Sequence, residues 1–178
     1  MKYLLALLCL SALSLTAAAQ SLSGDDVKTQ FINDWTRAKA YTDQYLATMP
    51  ADKYSFKAVD SIRSFAQQML HLASANYYLV SLAMGEKPQA DVFGSETRAG
   101  AQSADSVKAY VDGSYDYVIS ELKALDPNSL GTKVKLHTQE ATRYALLLKA
   151  FEHQTHHRGQ TTIYIRLLGI RPPNEQLF

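Results

Sequence analysis

Three of the chain's five histidines fall within five residues of one another, in the run Phe151-Glu152-His153-Gln154-Thr155-His156-His157-Arg158-Gly159-Gln160. On a helix of about 3.6 residues per turn, His153 and His157 stand one turn apart on the same face. At that spacing two imidazoles can grip one metal ion. The bland alternative is a surface histidine patch, or core histidines satisfied by tyrosines or backbone groups. Two histidines do not make a durable site, so a third ligand is required. His71 and His137 are the remaining histidines. If His137 shared the helix of His153, it would stand roughly 24 Å along the axis, at about 1.5 Å per residue, which is too far. His71 belongs to another segment, on the face opposite that segment's main apolar stripe and beside Gln67, Gln68, Ala75 and Tyr78. Either that helix buries both faces or His71 is exposed.

Four helical segments are expected to position these residues, with no convincing strand. The first opens at Ser23-Gly24-Asp25-Asp26, where Ser23 can cap the free amides, and carries Val27, Phe31, Trp35, Ala38 and Tyr45 at helical spacing until Met49-Pro50. The second is expected from about Lys57 to Met84, with Ile62, Phe65, Met69, Ala73 and Val80 in one stripe, and stops at Gly85. From Gly85 to Gln102 runs a connection rich in Gly, Ser, Glu, Pro and Ala. Loops of this length are uncommon in compact bundles and are often lids or binding loops. The third segment starts near Ser103, presents Val107, Val111, Tyr115, Val118, Leu122 and Leu125, and breaks at Asp126-Pro127-Asn128. The fourth is expected to begin between Leu136 and Thr138 and to reach Leu168, before Gly169 and Pro172-Pro173. Four long helices joined by loops make an all-α four-helix bundle the expected architecture.

On the fourth helix, Leu146, Ala150, His157, Gln160, Tyr164 and Leu168 cluster around His153, so the inward stripe is apolar at its ends and polar in its middle. Burying two imidazoles and an amide there is costly unless they are hydrogen-bonded or bind something. Gln160 and Tyr164 are thereby candidate catalytic residues, able to reach a substrate. His156, Arg158 and Arg166 fall elsewhere on the wheel and read as surface or structural. No carboxylate base lies on the ligand face, so one would have to come from a loop, as Asp91 or Glu96.

Residues 1–19 have the layout of a secretory signal peptide: Lys2, an apolar run from Tyr3 to Leu10, then Ala17-Ala18-Ala19-Gln20. Cleavage after Ala19 would leave residues 20–178 as one domain, exported to the periplasm or the extracellular space and free of the membrane. The alternative is an uncleaved N-terminal anchor. Loss of Lys2 brings Lys+Arg level with the 17 Asp+Glu, so no charge excess points to nucleic acid or an acidic membrane surface. The sole cysteine, Cys9, would leave with the signal. The mature chain would then have neither disulfide nor thiolate, and any metal must rest on nitrogen and oxygen ligands.

The chain resembles the DinB-like family of metal-binding four-helix bundles. The resemblance rests on His153-x-x-His156-His157-Arg158-Gly159-Gln160, continued by Tyr164-x-Arg166-x-x-Gly169-Ile170 and Pro172-Pro173, and on Ser61-Ile62-Arg63-Ser64-Phe65 leading into Met69-Leu70-His71-Leu72-Ala73-Ser74-Ala75-Asn76. It implies that His71, His153 and His157 are the metal ligands and that the ion is a divalent transition metal, zinc or nickel. Three neutral imidazoles with an open position form the ligand set of a catalytic rather than a structural site. Such a metal lowers the pKa of a bound water or polarises a substrate oxygen. Some relatives use it to activate a small thiol, which an exported location makes less available.

The expected function is a metal-dependent enzyme of hydrolase or transferase type acting on a small-molecule substrate, and bundles of this kind often pair as homodimers. The alternatives are a stress-associated protein that binds metal or ligand without turnover, and a metal that merely staples the bundle.

Overall fold

The computed structural model describes residues 22–88 and 94–178. The expected signal peptide and Asp91 lie outside the described residues.

Helix α1 spans Gly24–Thr48, α2 Phe65–Met84, α3 Ala104–Ala124 and α4 Arg143–Leu167. Each starts where a hydroxyl satisfies a free amide of the first turn. Ser23 and Asp26 close a reciprocal capping box at α1, as do Ser64 and Gln67 at α2. Ser103 accepts from the Ser106 amide at α3, and Thr142 from the Ala145 amide at α4. α2 ends at Gly85, whose φ of 83° is a left-handed conformation that glycine adopts without steric cost.

The helices form a bundle in which α2 packs against α3 and α4, and α1 packs against α3 and more lightly against α4. Trp35 of α1 is fully buried at the centre, edge-on to Tyr115 of α3 at 5.6 Å and to Phe151 of α4 at 5.5 Å. All six expected inward residues of the third segment, from Val107 to Leu125, are buried. Among the described residues no helix is long and apolar enough to cross a membrane.

Three expectations are corrected. α2 begins at Phe65 rather than near Lys57, because Ser64 caps it and the amides of Phe65 and Ala66 bond back to the carbonyls of Phe56 and Tyr54. Ile62 is therefore not on the apolar stripe; it lies outside the helix and is 37% exposed. Among the described residues two short strands are present, β1 (Lys133–Leu136) and β2 (Gln139–Thr142), paired antiparallel. Their turn holds His137 at φ 55°, and α4 starts only after β2, at Arg143. Val134 is the buried anchor of this hairpin.

Candidate metal centre

α2 does bury both sides. Phe65, Met69, Leu72, Ala73 and Val80 enter the core, while Gln68 and His71 face α4. There the rings of His71, His153 and His157 converge, with centroids 5.1 Å (His71–His153), 4.5 Å (His71–His157) and 4.3 Å (His153–His157) apart. One nitrogen from each ring lies within 4.8 Å of the other two, a spacing that could hold a metal ion. His157 is 8% exposed, and His71 and His153 are half-buried.

The outer nitrogens decide which atoms are free to ligate. Nδ1 of His71 lies 2.6 Å from Glu96 Oε1, so the imidazole N–H donates to the carboxylate and Nε2 keeps its lone pair. Glu96 is itself fixed by Arg63, whose Nε donates to Oε2 at 2.6 Å. Burial pushes the Glu96 carboxyl up, but the hydrogen bonds from Arg63 and His71 outweigh it and hold the pKa below the ordinary glutamate value. Gln68 donates its amide to Nδ1 of His157 at 3.0 Å, and Nε2 of His157 meets Nε2 of His153 at 3.1 Å. Among the described residues Nδ1 of His153 is buried without a partner.

Burial, reinforced by the neighbouring histidines, lowers the pKa of His153 to about 4 and that of His157 to about 3. Both are neutral at physiological pH, the state in which imidazole binds metal.

The chain matches the family model of the DinB family over residues 20–177. It belongs to the DinB family. Its fold is similar to a DinB-like protein of Bacillus cereus at 18% identity and a TM-score of 0.71, covering 82% of this chain and 95% of that one. A DinB-like protein of Bacillus subtilis matches at 21% identity and 0.61, covering 84% and 96%. A conserved protein of Enterococcus faecalis matches at 19% and 0.64, covering 80% and 98%. At these identities the likeness establishes the fold alone. No match is found among curated proteins.

In this DinB-family bundle the residues present fit a divalent metal. Three imidazoles that are neutral or tautomerically fixed converge, and the second nitrogens of His71 and His157 are met by a carboxylate and by an amide that orients the ligating ring once its oxygen faces Nδ1. Among the described residues one cavity is lined by two of the histidines, and another by Arg63 and Gln68, which contact His71 and His157. The first is the smaller, of about 290 Å³, and is walled by His71, Ala75, Tyr78, Gly94, Glu96 and His153. The second is the larger, of about 720 Å³, and is walled by residues including Lys57, Arg63, Gln67, Gln68, Gln160 and Tyr164.

The other sequence candidates find different partners. Tyr164 is buried and donates to the Arg63 carbonyl at 2.7 Å, which pins the backbone just before α2. Gln160 is exposed and lies 3.0 Å from His156 Nε2. His156 is exposed, as a surface position would be. His137 meets Tyr78 Oη at 3.1 Å in the hairpin turn, apart from the cluster. Arg158 is buried away from the cluster, packed over the Tyr41 ring at 4.7 Å and bonded to Gln154.

Of the two loop carboxylates weighed from sequence, Glu96 reaches His71. Its loop is held in place by Gln102, whose amide donates to the carbonyls of Ser95 and Glu96. Sequence reasoning gave Gln68 and Arg63 no role. The available signal was that Gln68 stands three residues before His71 and so shares its face.

Proposed function

We propose that this DinB-family chain is an exported, divalent-metal-dependent enzyme of hydrolase or transferase type, acting on a small molecule in the periplasm or outside the cell. The observation that carries the reading is the convergence of three imidazole nitrogens beside a cavity that His71 and His153 line, with no fourth protein ligand gathered with them among the described residues. A closed structural site takes four protein ligands, whereas three leave a position for water or substrate.

His71, His153 and His157 would hold zinc or nickel, which when bound supplies Lewis acidity at the open position. The chain's own residues do the rest. Glu96 holds the proton of His71 on Nδ1, and Arg63 keeps that carboxylate charged and oriented. Gln68 fixes the ring plane of His157. Arg63, Gln68 and Gln160 line the larger cavity and offer donors to a polar substrate group, while Ala75, Tyr78 and Leu79 give the smaller one apolar walls.

The test is a panel of activated esters, amides and thiol-transfer substrates, run on zinc-loaded and nickel-loaded protein beside His157→Ala. Turnover by the loaded protein that is lost in the variant supports the enzyme. Stoichiometric metal without turnover across the panel assigns the chain instead to non-catalytic metal or ligand binding.

A further inference from the structure

On the side of α4 away from the histidines, a further cavity of about 440 Å³ lies between α1, α4 and the C-terminal segment, walled in part by Tyr41, Tyr45, Phe151, Arg158, Pro172 and Leu177. Arg158 is only 6% exposed. Its Nη1 donates to Gln154 Oε1 at 2.8 Å and reaches Thr42 Oγ1 at 3.4 Å, and its plane lies over the Tyr41 ring. Among the described residues no ion pair ties its guanidinium to a carboxylate. A buried guanidinium left without an anion is costly, because its desolvation is not offset by a counter-charge.

The surroundings add to this deficit. Arg37 and Arg166 also line the cavity. Arg37 is paired with Asp34 and donates to the Gln176 carbonyl, whereas Arg166 has no acidic partner among the described residues. The one carboxylate of the wall is the exposed Glu175. Gly159 forms part of the same wall in the interior of α4, and no atom lies within 4 Å of where its Cβ would stand. Packing therefore does not require a glycine there, although glycine weakens a helix interior relative to alanine. An added methyl group would enter open space at the cavity.

We propose that this cavity is a second ligand site, independent of the metal centre, for a small organic carboxylate with an apolar or aromatic body. The planar guanidinium of Arg158, part of the cavity wall, suits a carboxylate in the paired geometry that arginine favours. Arg166 supplies charge at the rim, and the rings of Tyr41, Tyr45 and Phe151 together with Pro172 and Pro173 cover the apolar body. The volume falls within the range of small-molecule sites.

The test is calorimetric titration of the metal-stripped full chain with benzoate, its neutral isostere benzamide, and inorganic phosphate. Benzoate is expected to bind at least about tenfold more tightly than benzamide, given that paired charge-assisted hydrogen bonds are the strong ones. Gly159→Ala is expected to raise Tm and weaken benzoate binding, so that lost binding is separated from lost folding. Arg166→Gln is expected to weaken it and Glu175→Gln to strengthen it. Equal binding of benzoate and benzamide, or benzoate affinity untouched by Gly159→Ala, overturns the proposal. Tighter binding of phosphate overturns the carboxylate assignment, and benzoate binding that appears only after metal is restored places it at the histidines instead.

Discussion

Glu96 Oε1 stands 2.6 Å from Nδ1 of His71, joining the long connection after α2 to a ligand candidate on α2 itself. The contact sets the tautomer of His71 and leaves Nε2 with its lone pair for a ligand role. The connection thereby acquires a role at the centre, since Gln102 holds it where it delivers a carboxylate behind the imidazole.

Replacing that carboxylate should loosen the centre without unfolding the bundle. Glu96→Ala is expected to lower metal affinity by about 10–100-fold, the usual effect of removing a partner behind a ligating histidine. Glu96→Gln, which keeps an acceptor without its charge, should fall between the two. Zinc titration against a competing chelator measures this, and an unchanged Tm of the metal-stripped proteins would show that folding is intact.

Gln68 offers a complementary test on α4's side. Its amide donates to Nδ1 of His157 in this arrangement. Ligation through Nε2 puts the proton on Nδ1, so the amide must then turn its oxygen toward the ring. Gln68→Leu removes the partner in either state and should cost about tenfold or more in metal affinity. Gln68→Glu, an acceptor only once ionised, should retain or raise the affinity above about pH 6. The same chelator competition reads both.

The two histidines of α4 make stability depend on pH. In the unfolded chain each has a pKa of about 6.5. Folding lowers it to about 4 for His153 and about 3 for His157, chiefly through burial. Between those values the unfolded chain binds more protons than the folded one, so stability rises with pH. The contribution is complete above about pH 6.5 and is lost progressively as pH falls through about 4 and then about 3. For metal-stripped protein, Tm should decline from about pH 7 to about pH 4, and His153→Phe should flatten part of that decline.

The helices were legible because their signals are local. Ser23 and Ser103 mark caps, Met49-Pro50 and Gly85 mark stops, and the α3 stripe repeats at helical spacing. The start of α2 was not, because Ile62 fits the stripe by spacing and only the backbone bonds to Tyr54 and Phe56 keep it out of the helix. The hairpin escaped notice because each strand is four residues long with a single buried side chain, Val134, too little for periodicity to register. At the site, the pair His153 and His157 followed from spacing alone. His71 did not, since it lies across from the apolar stripe of its own helix, and the family resemblance brought it in. Glu96 was named only as one of two loop carboxylates, because no local pattern tells which loop residue folds back onto a helix 25 positions away.

The most direct test of the central claim is the metal content of the purified protein by elemental analysis, beside His71→Ala and His137→Ala. About one equivalent of a transition metal per chain is predicted for the parent and for His137→Ala, with none in His71→Ala, as a three-imidazole site requires. Metal retained in His71→Ala, metal lost in His137→Ala, or a parent that takes up neither zinc nor nickel on soaking would contradict the assignment of His71, His153 and His157.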